Sequence, residues 1–117
     1  AGIQRRFLSF RDMVSPELLP EIKMKTNDIE QRYAPGGRRR VNLDPGLLDL
    51  KRLILATTKN TGHRIPLSRG IYGEVTLIYM EKDFHPLPWT YPDFRSPEYS
   101  AVLKEIRELF RKKLRKS

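Results

Sequence analysis

The sequence predicts an α+β domain in which a mostly antiparallel sheet is covered by two helices. Three observations predict it. Leu19, Ile22, Thr26, Ile29 and Tyr33 fall on one helical stripe. Tyr99, Val102, Leu103, Ile106, Leu109, Phe110 and Lys113/Leu114 repeat that spacing near the other end. Between them, residues 63–67 and 71–81 read as two strands joined through Ser68-Arg69-Gly70, a hairpin.

In chain order, residues 3–10 (IQRRFLSF) read as a strand of mixed character. Ser15-Pro16-Glu17 is a helix-start signal, with a capping hydroxyl, a proline in the first turn and a carboxylate at the positive end of the dipole. Pro20 marks the true start of the helix after a preliminary turn. Lys23, Lys25, Asp28 and Glu30 fall outside the stripe, and Pro35-Gly36-Gly37 ends the helix. Residues 38–43 (RRRVNL) suggest a short strand and Asp44-Pro45-Gly46 a turn. Residues 49–56 fit either a short helix capped by Asp49 or a buried strand; the reading leans to helix, followed by extended residues 57–59 and a turn at Asn60-Thr61-Gly62.

In the second hairpin strand, Ile71, Gly73, Val75, Leu77 and Tyr79 share one face, read as core. Tyr72, Glu74, Thr76 and Ile78 share the other, where a polar site can sit. Residues 84–94 (FHPLPWTYPDF) are too rich in proline for regular structure. Ser96-Pro97-Glu98 opens the final helix, on which Glu108 and Lys112 are an expected i,i+4 pair.

The 117 residues suit one domain with one core, residues 111–117 forming a basic tail. Charged residues make up 32% against 38% hydrophobic, so a compact domain with charged flanks is expected. No apolar run is longer than the four residues of 53–56, far short of a membrane span. The absence of cysteine removes disulfides, thiolate nucleophiles and cysteine-held metals, and leaves the cytoplasm as the default location. No secretion leader is visible, and the chain begins at Ala1 rather than Met. The net charge of +9, from 23 basic and 14 acidic residues, favours nucleic acid, nucleotides, other phosphorylated ligands or an anionic surface. Plain solubility explains it too.

Chemistry concentrates between Val41 and Tyr79. Thr57, Thr58, Lys59, His63 and Arg64 lie within eight residues and can bind an oxyanion: arginine by a fork, lysine as a point charge, threonine by its hydroxyl. His63 can move a proton near neutral pH. Glu74 and Thr76 sit on the strand that should face residues 63–64, so Glu74 can act as a base, orient His63, or merely pair with Arg64 across the strands. Asp44 can hold a metal or accept a proton, although an Asx-turn explains it more simply. His63 and His85 without clustered carboxylates do not make a metal site, and no cofactor is called for. Arg38, Arg39 and Arg40 suit phosphate contacts; the basic tail mainly complements a helix end. Trp89, Tyr91 and Phe94 can stack on a base, but such loops more often cover a core edge.

At VNLDPG, LATTK, HRI, GIYGEVTLIY and WTYPDFRSPEY the chain resembles an uncharacterised bacterial family, number 4416 among the domains of unknown function. The resemblance covers nearly the whole chain and implies a cytosolic protein. Its members often carry a GTP-binding label, which these residues do not support: no GxxxxGK[ST] loop is present, and Gly36-Gly37 runs into three arginines. The resemblance also implies that family members have a strand-helix-strand segment upstream of GIQRRF. The chain would then be a C-terminal portion of the family domain, part of a ferredoxin-like architecture, and a homodimer would be one way to cover an exposed edge.

Three functions follow. The first is a non-enzymatic binder of a phosphate-bearing ligand, RNA or nucleotide, through Arg38, Arg39, Arg40, Thr58, Lys59, Arg64 and Thr76. The second is an enzyme acting on an anionic small molecule with His63 and Glu74 as acid and base, Asp44 being a further candidate. The third is a structural or interaction module, with an acidic protein as partner.

Overall fold

The computed structural model describes residues 6–10, 12–34, 36 and 42–116. Its strands are β1 (Gly46–Leu48), β2 (Arg52–Thr57), β3 (Ile65–Pro66), β4 (Tyr72–Met80) and β5 (Asp83–Pro86), and its helices α1 (Leu19–Arg32) and α2 (Pro97–Lys116). They form one antiparallel five-stranded sheet with a helix on each face, the α+β class expected. β4 is central: β2 flanks one side, β3 and β5 share the other, and β1 lies beyond β2.

A 3-10 turn at Pro16–Leu18 precedes α1, and Pro20 falls in the first turn of the helix, where its missing N–H costs no bond. Leu19 packs on Ala56 and Ile71. The buried stripe of α1 differs from the expected one. Leu19, Lys23 and Glu30 face inward, while Ile29 and Tyr33 are exposed. The Glu30 carboxylate accepts the Leu43 N–H (2.7 Å), so the inner face is partly polar because chain returns across it. A lysine stem can cover apolar surface in the same way.

Residues 52–57 are a strand, not the helix favoured by the sequence. Asp49 caps a hairpin turn instead: its Oδ1 accepts the N–H groups of Lys51 and Arg52 (2.8 Å each), and its own N–H donates to the Arg52 carbonyl (3.0 Å). Nor do Asp44-Pro45-Gly46 turn. Gly46 opens β1 opposite Leu55, and a Cβ there would stand 2.7 Å from the Ile54 carbonyl oxygen. Leu53 and Leu55 serve the α2 side of β2, Ile54 and Ala56 the α1 side.

The single core face read along β4 is also corrected. Ile54 pairs with Val75 but Leu53 pairs with Leu77, so Thr76 is an extra residue, a β-bulge. It switches the faces. Ile71 packs with Leu19 and Ala56 under α1, whereas Leu77 joins Leu53, Phe84 and Leu103 under α2.

Residues 84–94 are not wholly irregular. Glu81 and Lys82 both adopt left-handed backbone (φ 51° and 64°), a tight turn that brings β5 back along β4. Pro86 ends that edge strand, where proline is tolerated. The expected N-terminal strand is absent from its described part, residues 6–10, where Phe7 sets its ring edge-on to Tyr99 (4.6 Å). Of the strand expected at residues 38–43, residues 38–41 lie outside the described residues, and Asn42 and Leu43 are not in a strand.

At α2, the Ser96 hydroxyl accepts the Tyr99 N–H (3.2 Å), the expected cap. Arg107 ties the helix to the sheet: its Nε donates to the Leu50 carbonyl (3.0 Å) and its guanidinium lies 3.6 Å over the Tyr79 ring. Glu108 pairs with Arg111 rather than Lys112, because the guanidinium fork can grip both carboxylate oxygens.

Candidate functional site

The β3–β4 turn has Arg69 and Gly70 in left-handed backbone (φ 59° and 71°), the geometry of a tight hairpin. Its register sets Ile65 opposite Gly73 and Pro66 opposite Tyr72, so the next residues outward, Arg64 and Glu74, meet. A further turn, in which the Arg64 N–H donates to the Thr61 carbonyl (3.0 Å), folds residues 59–63 against them.

Glu74 is the centre of the cluster. Its side chain is only 4% exposed and Arg64's 9%. Glu74 Oε1 accepts from Arg64 Nε at 3.0 Å and lies 2.7 Å from His63 Nε2. The Thr76 hydroxyl approaches Oε2 at 3.4 Å. Arg64 Nη1 donates to the Lys59 carbonyl (3.1 Å), and the outer ring nitrogen of His63 lies 3.4 Å from the Thr61 hydroxyl. A buried carboxylate needs such partners, since an unpaired charge away from water costs several kcal/mol, of order 3–5.

The bulge explains the other half of the site. An extra residue leaves strand carbonyls without ladder partners. Trp89 Nε1 donates to the Val75 carbonyl (2.9 Å) and the Thr90 hydroxyl to the Thr76 carbonyl (2.6 Å). The Trp89 indole stacks on the His63 imidazole with centroids 4.6 Å apart. Arg95 fastens this loop, donating to the carbonyls of Thr90 (3.0 Å) and Leu87 (2.7 Å).

His63, Arg64, Glu74 and Thr76 are thus brought together, with Lys59 joined through its carbonyl. The side chains of Thr58 and Lys59 are exposed, and Thr76 is fully buried. Asp44 is exposed, and its carboxylate accepts the Asn42 amide (3.2 Å). Arg38, Arg39 and Arg40 lie outside the described residues. His85 Nε2 faces the Met80 carbonyl (2.9 Å). Among the described residues, no three histidine or acidic side chains gather as a metal site would require.

Trp89, Tyr91 and Phe94 divide. Phe94 packs on the core, as a loop cover should, but Trp89 and Tyr91 remain 36% and 57% exposed. Sequence reasoning singled out Trp89 yet missed its bond to the bulge. The sole tryptophan, set between prolines and beside a threonine, was the available signal.

Two clefts lie away from the Glu74 cluster. One, of about 260 Å³, opens between β5 and the start of α2 among Asp83, Phe94, Ser96, Ser100 and Lys104. There the Ser100 hydroxyl (2.6 Å), then the Phe84 N–H, holds the Asp83 carboxyl below its ordinary range. The other, of about 130 Å³, is apolar and lies under α1. Neither is lined by His63, Arg64 or Glu74.

A family model for a domain of unknown function (DUF4416) matches residues 1–110. The chain belongs to this DUF4416 family. The segments HRI, GIYGEVTLIY and WTYPDF, which build the Glu74 cluster, the bulge and the Trp89 loop, all fall within the family's span. No curated protein and no solved structure matches the chain. Among the described residues, no helix is long and apolar enough to cross a membrane.

Proposed function

We propose that this DUF4416 chain is a non-enzymatic binding module for a phosphate-bearing ligand, and that the Glu74 cluster is its internal brace rather than a reaction centre. The observation that carries the non-enzymatic part is the engagement of Glu74. Both carboxylate oxygens have partners within the protein, Oε1 two of them, and the side chain is almost wholly buried. A base must reach its substrate's proton directly or through one water. Here His63 turns its inner nitrogen to Glu74, and neither cleft opens on the pair. Arg64 is spent in the same way, on Glu74 and the Lys59 carbonyl.

The phosphate part is supported by the net charge of +9 and by the exposed Lys59 and Thr58. In this reading Lys59 contacts the ligand, with Arg38, Arg39 and Arg40 adding charge, while Arg64 and Thr76 position the loop that carries Lys59.

A thermal-shift titration of the chain with short RNA, a nucleoside triphosphate and poly-glutamate, at two salt concentrations, tests it. RNA or nucleotide should raise the melting temperature, less so at higher salt, and Lys59→Ala should weaken the effect. A shift with poly-glutamate alone would move the function to an acidic protein partner. Silence from every ligand would leave a structural module.

A further inference from the structure

We propose that the exposed rings of Trp89 and Tyr91 form a stacking platform for the unpaired bases of a single-stranded nucleic acid. The proposal rests on the phosphate-binding reading above and names its ligand class.

Trp89 is a large aromatic left more than a third exposed, yet its position is tightly specified. Its N–H is committed inward to the Val75 carbonyl, and its ring lies at 17° to the His63 imidazole. His63 is in turn held by Glu74. A ring fixed at its polar edge and backed by a second ring loses little freedom when a base stacks on it. Thr90 turns inward to the bulge, and Tyr91 follows as a residue 57% exposed. More than half of the Tyr91 surface faces solvent, so core packing does not account for it.

An exposed lysine and an exposed arginine belong to the two loops that meet at the His63–Trp89 stack. Lys59 is exposed and joined to the cluster through its carbonyl, and Arg95 is exposed while its guanidinium holds the carbonyl of Leu87 in the Trp89 loop. Aromatic rings that accept bases, interleaved with charges that follow the backbone, are what sequence-tolerant single-strand surfaces use. The basic runs of the sequence lack aromatic residues; the fold supplies the mixture by bringing the loop of Trp89 to that of Lys59.

Trp89 is the only tryptophan, so its emission reports on this surface alone. The test titrates the full chain with a single-stranded 12-mer of RNA, a duplex of the same length and inorganic polyphosphate of matched charge. The single strand should quench Trp89 and bind at least tenfold more tightly than the other two. Tyr91→Ala should weaken it roughly 5- to 150-fold, the range of one lost base stack, and Tyr91→Phe should restore it. Tyr91 is chosen because Trp89 also supports the bulge. Equal binding of polyphosphate and single strand, with Trp89 emission unchanged, would overturn the platform and leave the phosphate reading intact. Preference for the duplex would also overturn it. Binding to none of the three would remove both.

Discussion

The indole N–H of Trp89 reaches the carbonyl of Val75, 2.9 Å away, beside the extra residue of the β4 bulge. A loop fourteen residues downstream therefore completes the hydrogen bonding of the central strand. Thr90 does the same for the next carbonyl, that of Thr76, and also accepts the Leu87 N–H (2.9 Å).

Thr90→Val keeps the shape of this buried side chain but removes its hydroxyl. The Thr76 carbonyl and the Leu87 N–H each lose a partner. Urea unfolding should show a loss of about 1–3 kcal/mol, and Trp89 emission should shift to the red as its loop loosens.

Glu74 and Arg64 should be strongly coupled. Arg64→Met alone leaves the buried Glu74 carboxylate without its guanidinium, with His63 and Thr76 as its remaining partners, and Glu74→Met alone leaves the Arg64 guanidinium with the Lys59 carbonyl; each should cost about 3–5 kcal/mol. The double variant should be much less destabilised than the two losses added together. A double-mutant cycle by denaturant unfolding measures the coupling, and simple additivity would mean that the pair does not act as a unit.

The two sides of the sheet should behave independently. Leu19→Ala empties the α1 side and Leu103→Ala the α2 side, each costing about 2–5 kcal/mol. Because their core clusters share no residue, the double variant should match the sum within about 0.5 kcal/mol.

Asp83 gives the fold an acid-sensitive element. Its carboxyl is held below the ordinary 3.8 by the Ser100 hydroxyl, the Phe84 N–H and Lys104. The unfolded chain therefore binds the proton more readily, and stability rises with pH through this range. The contribution is complete above about pH 4–5 and is lost as pH falls through the folded value. Ser100→Ala removes the largest cause, so its deficit against the parent should be full at pH 6 and shrink towards pH 2. Unfolding midpoints across that range test it.

The turn between β4 and β5 places Glu81 and Lys82 in left-handed backbone. Lys82→Gly relieves that conformation, where L side chains are disfavoured. The variant should gain about 0.5–1 kcal/mol in thermal or urea unfolding without altering ligand binding.

Local chemistry made several parts of the fold legible in the sequence. The Ser96 cap, Pro20 at the start of α1 and the Ser68-Arg69-Gly70 turn act through neighbours in the chain. The meeting of residues 63–64 with Glu74 followed from that turn, because a tight hairpin sets its own register. Half of the cluster could therefore be read in advance.

What the sequence by itself determined was the class of fold, the two helices, the β3–β4 hairpin and a strongly cationic chain. Tertiary structure alone decided that Asp49 caps a turn rather than a helix, that Thr76 is a bulge, and that Trp89 belongs to the site. Residues 49–56 have apolar positions compatible with either period, and only pairing with β1 and β4 selects the strand. A bulge depends on how one strand counts against its neighbour, and β2 lies some twenty residues earlier. The indole of Trp89 is fixed by a carbonyl that the bulge frees, so its place follows from the paired sheet and from nothing local to its own loop.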